Sequence, residues 1–132
     1  MRFVDTSFWL ALLRKDDSEH LRSERLARAN HLALVTSNHV IGETWSFLCR
    51  RDGHRAALAF LGLVDEYPRL QVEHVSESIE GDAWVWLRRH DERPYSFVDA
   101  TSFAVMRKRR VSEALTFDSD FTVAGFNQVK EA

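Results

Sequence analysis

The sequence predicts an α/β fold in which helices cover both faces of a mainly parallel sheet. Short apolar runs typical of buried strands alternate with longer segments of helical periodicity along the whole chain. A length of 132 residues with 45% hydrophobic residues is enough for one core, so we expect a single domain over 1–132. The lone cysteine, Cys49, excludes an intramolecular disulfide and a thiolate metal cluster.

Apolar periodicity predicts four strands and six helices, followed by a tail with room for one more short strand. In chain order these are strand 1–4, helix 7–13, helix 16–30, strand 33–36, helix 39–51, helix 54–67, strand 70–75, helix 76–90, helix 96–110, strand 113–117 and the tail 118–129.

Polar and turn residues set the limits of the helices in the first half. Asp16 and Asp17 are placed to open the second helix, where acids complement the positive end of the helix dipole. Ser37 or Asn38 is a candidate N-cap of the third helix, and Gly53 ends it.

In the second half, prolines mark the breaks between elements. Pro68 stops the fourth helix before the third strand, and Pro94 separates the last two long helices. Ser96 and Asp99 have the spacing of a capping box at the start of the helix SFVDATSFAVM.

Four acidic residues stand where strands meet the segments that follow them. Asp5 comes directly after the first strand, Asp99 opens the helix before the last main strand, and Asp118 follows ALTF. Glu43 lies in the second turn of the helix after the second strand. Ligands bind at the carboxyl ends of parallel strands, so we expect these four side chains to converge at one edge.

Carboxylates that converge repel one another, and a hard divalent cation with oxygen ligands relieves that repulsion. The pattern therefore predicts Mg²⁺, with Mn²⁺ as a substitute. The typical chemistry of such a site is activation of water against a phosphodiester.

Each acid also has a purely structural interpretation. Asp5 suits the N-cap of the helix that begins near Ser7, and Asp99 the capping box. Asp118 suits an Asx-type turn, and Glu43 a solvated helix face. Only the joint pattern favours a metal site over these roles.

Basic residues cluster although the net charge is −2, and without the four acids the net charge is +2. The run RKRR is a candidate RNA-binding segment made of Arg107, Lys108, Arg109 and Arg110. Shorter basic runs stand at 50–51 and 88–90. A solvated helix end is the alternative for the RKRR run.

Four motifs carry a resemblance to a known family. FVDTSFWLALL, HVIGETWSFL, SFVDATSFAVM and ALTFDSDFTVAGF, in this order and spacing, resemble the motifs of the PIN-domain ribonucleases, in particular the VapC-type toxins of bacterial toxin–antitoxin pairs. The likeness covers essentially the whole chain.

The resemblance implies a three-layer α/β/α PIN-like fold and a Mg²⁺- or Mn²⁺-dependent endoribonuclease. It further implies a homodimer and a cognate antitoxin as partner. Its acidic site falls on Asp5, Glu43, Asp99 and Asp118 of this sequence, and supporting roles fall on Thr6, Ser102 and Asp120.

Trp84 and Trp86 stand two residues apart on a predicted helix, so they face different ways and only one is easily buried. The other is a candidate for the dimer or antitoxin surface.

Three rival functions remain on the sequence alone. A catalytically silent PIN-like module would bind RNA or protein without turnover. A phosphorelay receiver domain needs a lysine after its last strand, where this chain has TFDSDF, and an aspartyl phosphatase favours an acid at the position of Ser7. The chain has neither a membrane-spanning apolar run nor a signal-peptide pattern, so a cytoplasmic location without membrane association is expected.

Overall fold

The computed structural model describes residues 1–132 and contains five strands and seven helices. In chain order these are β1 (Arg2–Val4), α1 (Thr6–Leu13), α2 (His20–Ala29), β2 (Leu34–Ser37), α3 (Asn38–Asp52), α4 (His54–Glu66), β3 (Leu70–Glu73), α5 (Glu77–Arg89), α6 (Phe97–Arg109), β4 (Glu113–Leu115), α7 (Asp120–Val123) and β5 (Asn127–Gln128). None of the helices is long and apolar enough to span a membrane.

The strands form one sheet in the order β3-β2-β1-β4-β5, and every neighbouring pair is parallel. From the central strand β1, the chain adds β2 and then β3 on one side, and then crosses over to add β4 and β5 on the other side. Right-handed connections place the helices of these two halves on opposite faces. The helix contacts agree, since α3 packs on α1 and α4 and α6 packs on α5 and α7, while α3 and α6 also touch each other. The predicted α/β fold with a layer of helices on each face is confirmed.

Reversal of the strand order beside β1 determines where a ligand site is expected. In open parallel sheets a crevice forms outside the carboxyl ends of the strands where the order reverses. Here that point lies between β1 and β4, which pair through Phe3 with Ala114 and Val4 with Leu115. Asp5 and Thr116 are the next residues on each strand, so both lie at the crevice.

Helix α6 lies in the middle of the core, which explains why its sequence is apolar on nearly every side. Its residues from Ala100 to Met106 are all buried. Phe103 at its centre packs on Trp86 of α5, with ring centroids 5.1 Å apart, and on Phe121 of α7 at 4.9 Å. Trp84 remains 44% exposed, so the prediction that only one of the two tryptophans is readily buried is confirmed.

Two local predictions are wrong. Helix α2 begins at His20 instead of Asp16 or Asp17, because the Asp17 side chain accepts a hydrogen bond from the Glu19 N–H in a separate turn. The tail contains, besides the expected short strand, the one-turn helix α7, which the sequence analysis did not predict. Its Phe121 is fully buried and anchors that turn to the core.

Candidate metal centre

Carboxylates converge at the carboxyl edge of β1 and β4. Oxygen atoms of Asp99, Asp118 and Asp120 lie within 4.8 Å of one another. Asp5, at the end of β1, is close enough for its charge to act on both Asp99 and Asp118. The structure thus brings together three of the four predicted acids and adds Asp120 to them.

Asp5 is held by hydroxyl groups and is 4% exposed. Its Oδ2 accepts hydrogen bonds from Ser7 Oγ at 2.8 Å, Thr116 Oγ1 at 2.9 Å and the Ser7 N–H at 3.4 Å. Burial raises the pKa of Asp5 to about 6, and these hydrogen bonds oppose that rise. The predicted N-cap role is therefore real, but it uses only one oxygen of the carboxylate.

Asp99 occupies the capping box predicted at the start of α6. Its N–H donates to Ser96 Oγ at 3.0 Å, and its Oδ2 accepts from the Ser96 N–H at 3.4 Å. Burial, followed by the charges of Asp5 and Asp118, raises its pKa to about 7. An acid that only capped a solvated helix would not be repelled by other carboxylates. Asp99 therefore belongs to the carboxylate cluster as well as to the capping box.

Asp118 and Asp120 lie in the turn that leads from β4 into α7. Asp118 Oδ1 accepts from the Asp120 N–H at 2.9 Å, which is the predicted Asx-type turn. Burial, and then the neighbouring Asp120 charge, raise the pKa of Asp118. Asp120 Oδ1 accepts from Arg93 Nη1 at 3.0 Å, and Ser119 Oγ accepts from the same nitrogen at 2.8 Å.

The donor set fits a hard divalent cation. Each of the four aspartates accepts its side-chain hydrogen bonds through one oxygen. This oxygen is Oδ2 in Asp5 and Asp99 and Oδ1 in Asp118 and Asp120. The second oxygen of each is available to a ligand. Arg93 is the only basic side chain in an ion pair with this group, so the cluster holds uncompensated negative charge. Oxygen-only donors of this kind favour Mg²⁺ or Mn²⁺ over zinc.

The structure places Glu43 differently from the aspartates. It is exposed, and no hydrogen bond or ion pair holds its carboxylate. It lies one turn after His39, on the same face of α3. His39 Nδ1 lies 3.3 Å from Thr101 Oγ1, which brings this face beside the first turn of α6. Glu43 is therefore near the start of the Asp99 helix but outside the aspartate cluster.

The predicted supporting hydroxyls differ in their contacts. Thr6 Oγ1, next to Asp5, is buried without a hydrogen-bond partner. Ser102 Oγ donates to the Val98 carbonyl at 2.8 Å, a bond within α6, and does not contact an acid. Thr116 and Ser7, which the sequence analysis did not select, make the direct contacts to Asp5.

Raised carboxyl pKa values give an expected pH dependence of stability. A group whose pKa is higher in the folded than in the unfolded protein stabilises the fold at low pH, and loses this effect as the pH rises through the folded pKa. For Asp5 and Asp99 these values are about 6 and about 7. In EDTA, the free energy of unfolding should therefore be higher at pH 5 than at pH 8, by about 2 kcal/mol after allowance for solvent screening.

Urea denaturation at the two pH values measures this difference. Asp99→Asn should reduce it by about half, whereas Asp65→Asn, the same change at an exposed position of α4, should leave it unchanged. Equal stability of the wild-type protein at both pH values would contradict the burial and repulsion described for the cluster.

A parallel α/β sheet with clustered carboxylates at its carboxyl edge is an arrangement that metal-dependent phosphoryl-transfer proteins use. The profile of the PIN domain matches residues 2–127, and the chain belongs to the PIN-domain family.

Among curated proteins, the chain is similar to the 23S rRNA-specific endonuclease VapC20 of Mycobacterium tuberculosis, from strains CDC 1551 / Oshkosh and ATCC 25618 / H37Rv. Each is 53% identical over 130 residues, which cover 98% of this chain and 98% of the relative. Among solved structures, M. tuberculosis VapC20, described as a sarcin-ricin loop cleaving toxin, matches with a TM-score of 0.94 and 51% identity. That match covers 99% of this chain and 100% of the other. The resemblance found from the four motifs is confirmed.

Arg93 is a further site residue, besides Ser7 and Thr116, that the sequence analysis missed. It lies in the loop between α5 and α6, beside Pro94, where a basic residue has no periodic pattern to mark it. The predicted cluster of four acids did indicate that a basic side chain would lie nearby, because such a side chain reduces the repulsion among the carboxylates. No spacing rule connects the loop to the turn after β4, which lies 27 positions further along the chain.

Proposed function

We propose that this PIN-domain protein is a metal-dependent endoribonuclease and the toxin of a toxin–antitoxin pair. The observation that carries the proposal is the aspartate cluster, in which each carboxylate keeps one oxygen free. Family membership and the 53% identity to an RNA endonuclease give the reaction class. The silent-module alternative explains the fold but gives no reason for so much uncompensated charge.

Asp99, Asp118 and Asp120 would hold the cation together with Asp5, and Glu43 would contribute from the outer side. When bound, a divalent ion of this kind neutralises charge on the phosphoryl group and activates water. The chain's own groups orient the ligands. Ser7 and Thr116 fix Asp5, and the Ser96 N–H fixes Asp99.

The proposed substrate is ribosomal RNA at a structured loop. The relatives' names specify 23S rRNA and the sarcin-ricin loop, and identity above 50% over nearly the whole chain supports the same choice here. An RNA substrate also agrees with the predicted cytoplasmic location.

Cleavage assays test the proposal. Purified protein is incubated with intact ribosomes and with a synthetic sarcin-ricin stem-loop, in Mg²⁺, in Mn²⁺ and in EDTA. A stem-loop with the same stem and a scrambled loop serves as the control substrate. Cutting at one position of the native loop, only with metal, is expected. Binding of RNA without cutting in any metal would instead favour the silent module.

Arg93 should contribute to binding of the RNA substrate. Its guanidinium pairs with Asp120 through Nη1 alone, which leaves its remaining N–H groups for a phosphate oxygen. We expect Arg93→Ala to raise the KM for RNA about 10-fold, with a smaller effect on kcat.

Arg93→Lys keeps the charge without the planar fork and should recover part of this loss. The control is Arg28→Ala, which removes an exposed cation of α2 that has no ion pair. An unchanged KM in Arg93→Ala would show that Arg93 serves only to hold Asp120.

An exposed aromatic patch beside the site supports a macromolecular partner. Trp84 stacks on Phe97 with ring centroids 4.5 Å apart, and Phe97 stands two residues before Asp99. Exposed aromatic rings are enriched at protein interfaces. We propose that an antitoxin covers this patch and the acidic crevice together, and that the toxin itself is a homodimer.

A further inference from the structure

A basic pocket lies between α5 and α6, apart from the aspartate cluster. It has a volume of about 490 Å³, and its lining includes Trp86, Arg89, His90, Arg107 and Lys108. Asp82 is the one acidic residue among its lining side chains. Since three cations face a single carboxylate, the pocket carries a net positive charge with histidine neutral.

Two of the three cations of this pocket lack carboxylate partners within bonding distance. Neither Arg89 nor Arg107 forms an ion pair, whereas the third cation, Lys108, lies 3.7 Å from Glu73. The Arg107 guanidinium lies 5.8 Å from the ring centroid of Trp86, and partial burial lowers its pKa. The charge of Asp82 opposes that lowering, and the exposed Arg107 side chain remains accessible to a bound anion.

The run RKRR, predicted as one RNA-binding segment, divides into two parts in the structure. Arg109 is already engaged, since its Nε donates to Glu73 at 2.8 Å and its Nη1 donates to Gln71 at 2.6 Å. Lys108 lies at 3.7 Å from Glu73, a weaker contact, and also lines the pocket. Among the cations that line the pocket, Arg107 from α6 and Arg89 from α5 are therefore the two that are not paired with an acid and can bind an anion.

The chemistry of the pocket favours a phosphate over a base or an acidic side chain. Two guanidinium groups offer forked N–H donors that match phosphate oxygens. The Trp86 ring is already stacked on His90, with centroids 4.1 Å apart, and packed edge-on against Phe103. Trp86 thus packs against the Arg107 guanidinium and has little open ring surface on which a base could stack.

The pocket stands at a distance from the acidic site that one RNA strand can span. Arg107 follows Asp99 by eight residues on the same helix, which is about 12 Å along the axis at 1.5 Å per residue. Successive nucleotides of a nucleic-acid strand advance a few ångströms each along the axis, so a strand of a few nucleotides covers this length.

We propose that the α5–α6 pocket binds a backbone phosphate of the RNA substrate, a few nucleotides from the bond that is cut. This inference rests on the proposed ribonuclease function and adds the place where the substrate strand is held.

Binding in the absence of turnover tests the pocket. The double variant Arg89→Gln/Arg107→Gln is compared with Arg28→Gln/Arg55→Gln, which removes the same charge from exposed, unpaired residues of α2 and α4. Fluorescence anisotropy gives the Kd for the sarcin-ricin stem-loop in EDTA at several salt concentrations. We expect the pocket variant to raise the Kd about 10-fold or more and to reduce the slope of log K against log salt by about 0.7 to 0.9, the contribution of one phosphate.

A further variant, Arg89→Lys/Arg107→Lys, should keep most of the salt slope because it keeps both charges. An equal loss of RNA affinity in the pocket variant and the control variant would overturn the proposal, because the total charge of the protein would then account for binding. Since the assay needs no cleavage, its result is separable from the nuclease proposal. If the wild type cuts RNA and the pocket variant binds RNA as tightly as the wild type, the pocket proposal alone is refuted. If the pocket variant alone loses RNA binding and the wild type does not cut RNA, the result supports the pocket and counts against the nuclease proposal.

Discussion

Asp99→Asn should lower RNA cleavage about 100-fold or more while the protein stays folded. Replacing groups that merely orient metal ligands costs 10- to 100-fold in activity, and a ligand itself should cost at least as much. Asparagine keeps the size of the side chain and the oxygen that accepts from the Ser96 N–H, so the capping box of α6 is preserved. It removes the negative charge and one free carboxylate oxygen from the cluster.

The measurement is the initial rate of stem-loop cleavage in Mg²⁺, with thermal unfolding recorded on the same samples. In EDTA, the variant should melt no lower than the wild type, because it relieves the repulsion that raises the pKa of Asp99. Asp65→Asn is the matched control for the change of charge. A folded Asp99→Asn protein with the wild-type rate would remove Asp99 from the catalytic site and leave it as a helix cap.

The second large effect is stabilisation by the metal itself. A cation that binds only the folded protein adds about 2.7 kcal/mol to the free energy of unfolding at 100 times its Kd. For a domain of this size that corresponds to a rise in Tm of roughly 10 °C. Because the cation also relieves the repulsion among the aspartates, Mg²⁺ should narrow the stability difference between pH 5 and pH 8 seen in EDTA.

Differential scanning fluorimetry across a Mg²⁺ and a Mn²⁺ titration measures this rise. The double variant Asp99→Asn/Asp118→Asn should lose the rise, whereas Asp16→Asn/Asp65→Asn, at exposed positions, should retain it. An identical metal-induced rise in both double variants would place the cation away from the aspartate cluster. No rise in the wild type would leave the four acids as caps and turn residues.

Much of this architecture follows from local sequence signals. Strand and helix patterns identify every element except α7, because the buried segments are strongly periodic and Pro94 and Gly53 mark their breaks. Helix α7 was not predicted because its four residues make barely one helical turn, which is too short for an apolar repeat to be recognised. The start of α2 was misplaced because Asp17 caps a turn with the same side-chain chemistry that caps a helix.

Tertiary proximity explains why the site itself was only partly predictable. Acids after β1 and β4 meet because parallel strands end at a common edge, a rule that needs only the element order. Arg93 reaches Asp120 through a loop path that no periodicity encodes. The division of the RKRR run depends on which side chains face β3, and the Arg109 bond to Glu73 appears only once the helix is docked.

The central position of β1 has a consequence for protein synthesis. The first strand made is completed only when residues 113–115 pair beside it, and Asp5 meets Thr116 across a separation of 111 positions. Contacts between such distant segments form late in folding. The carboxylate cluster therefore cannot assemble on a nascent chain that still lacks its carboxyl-terminal strands, so the site is completed only when synthesis of the domain is nearly finished.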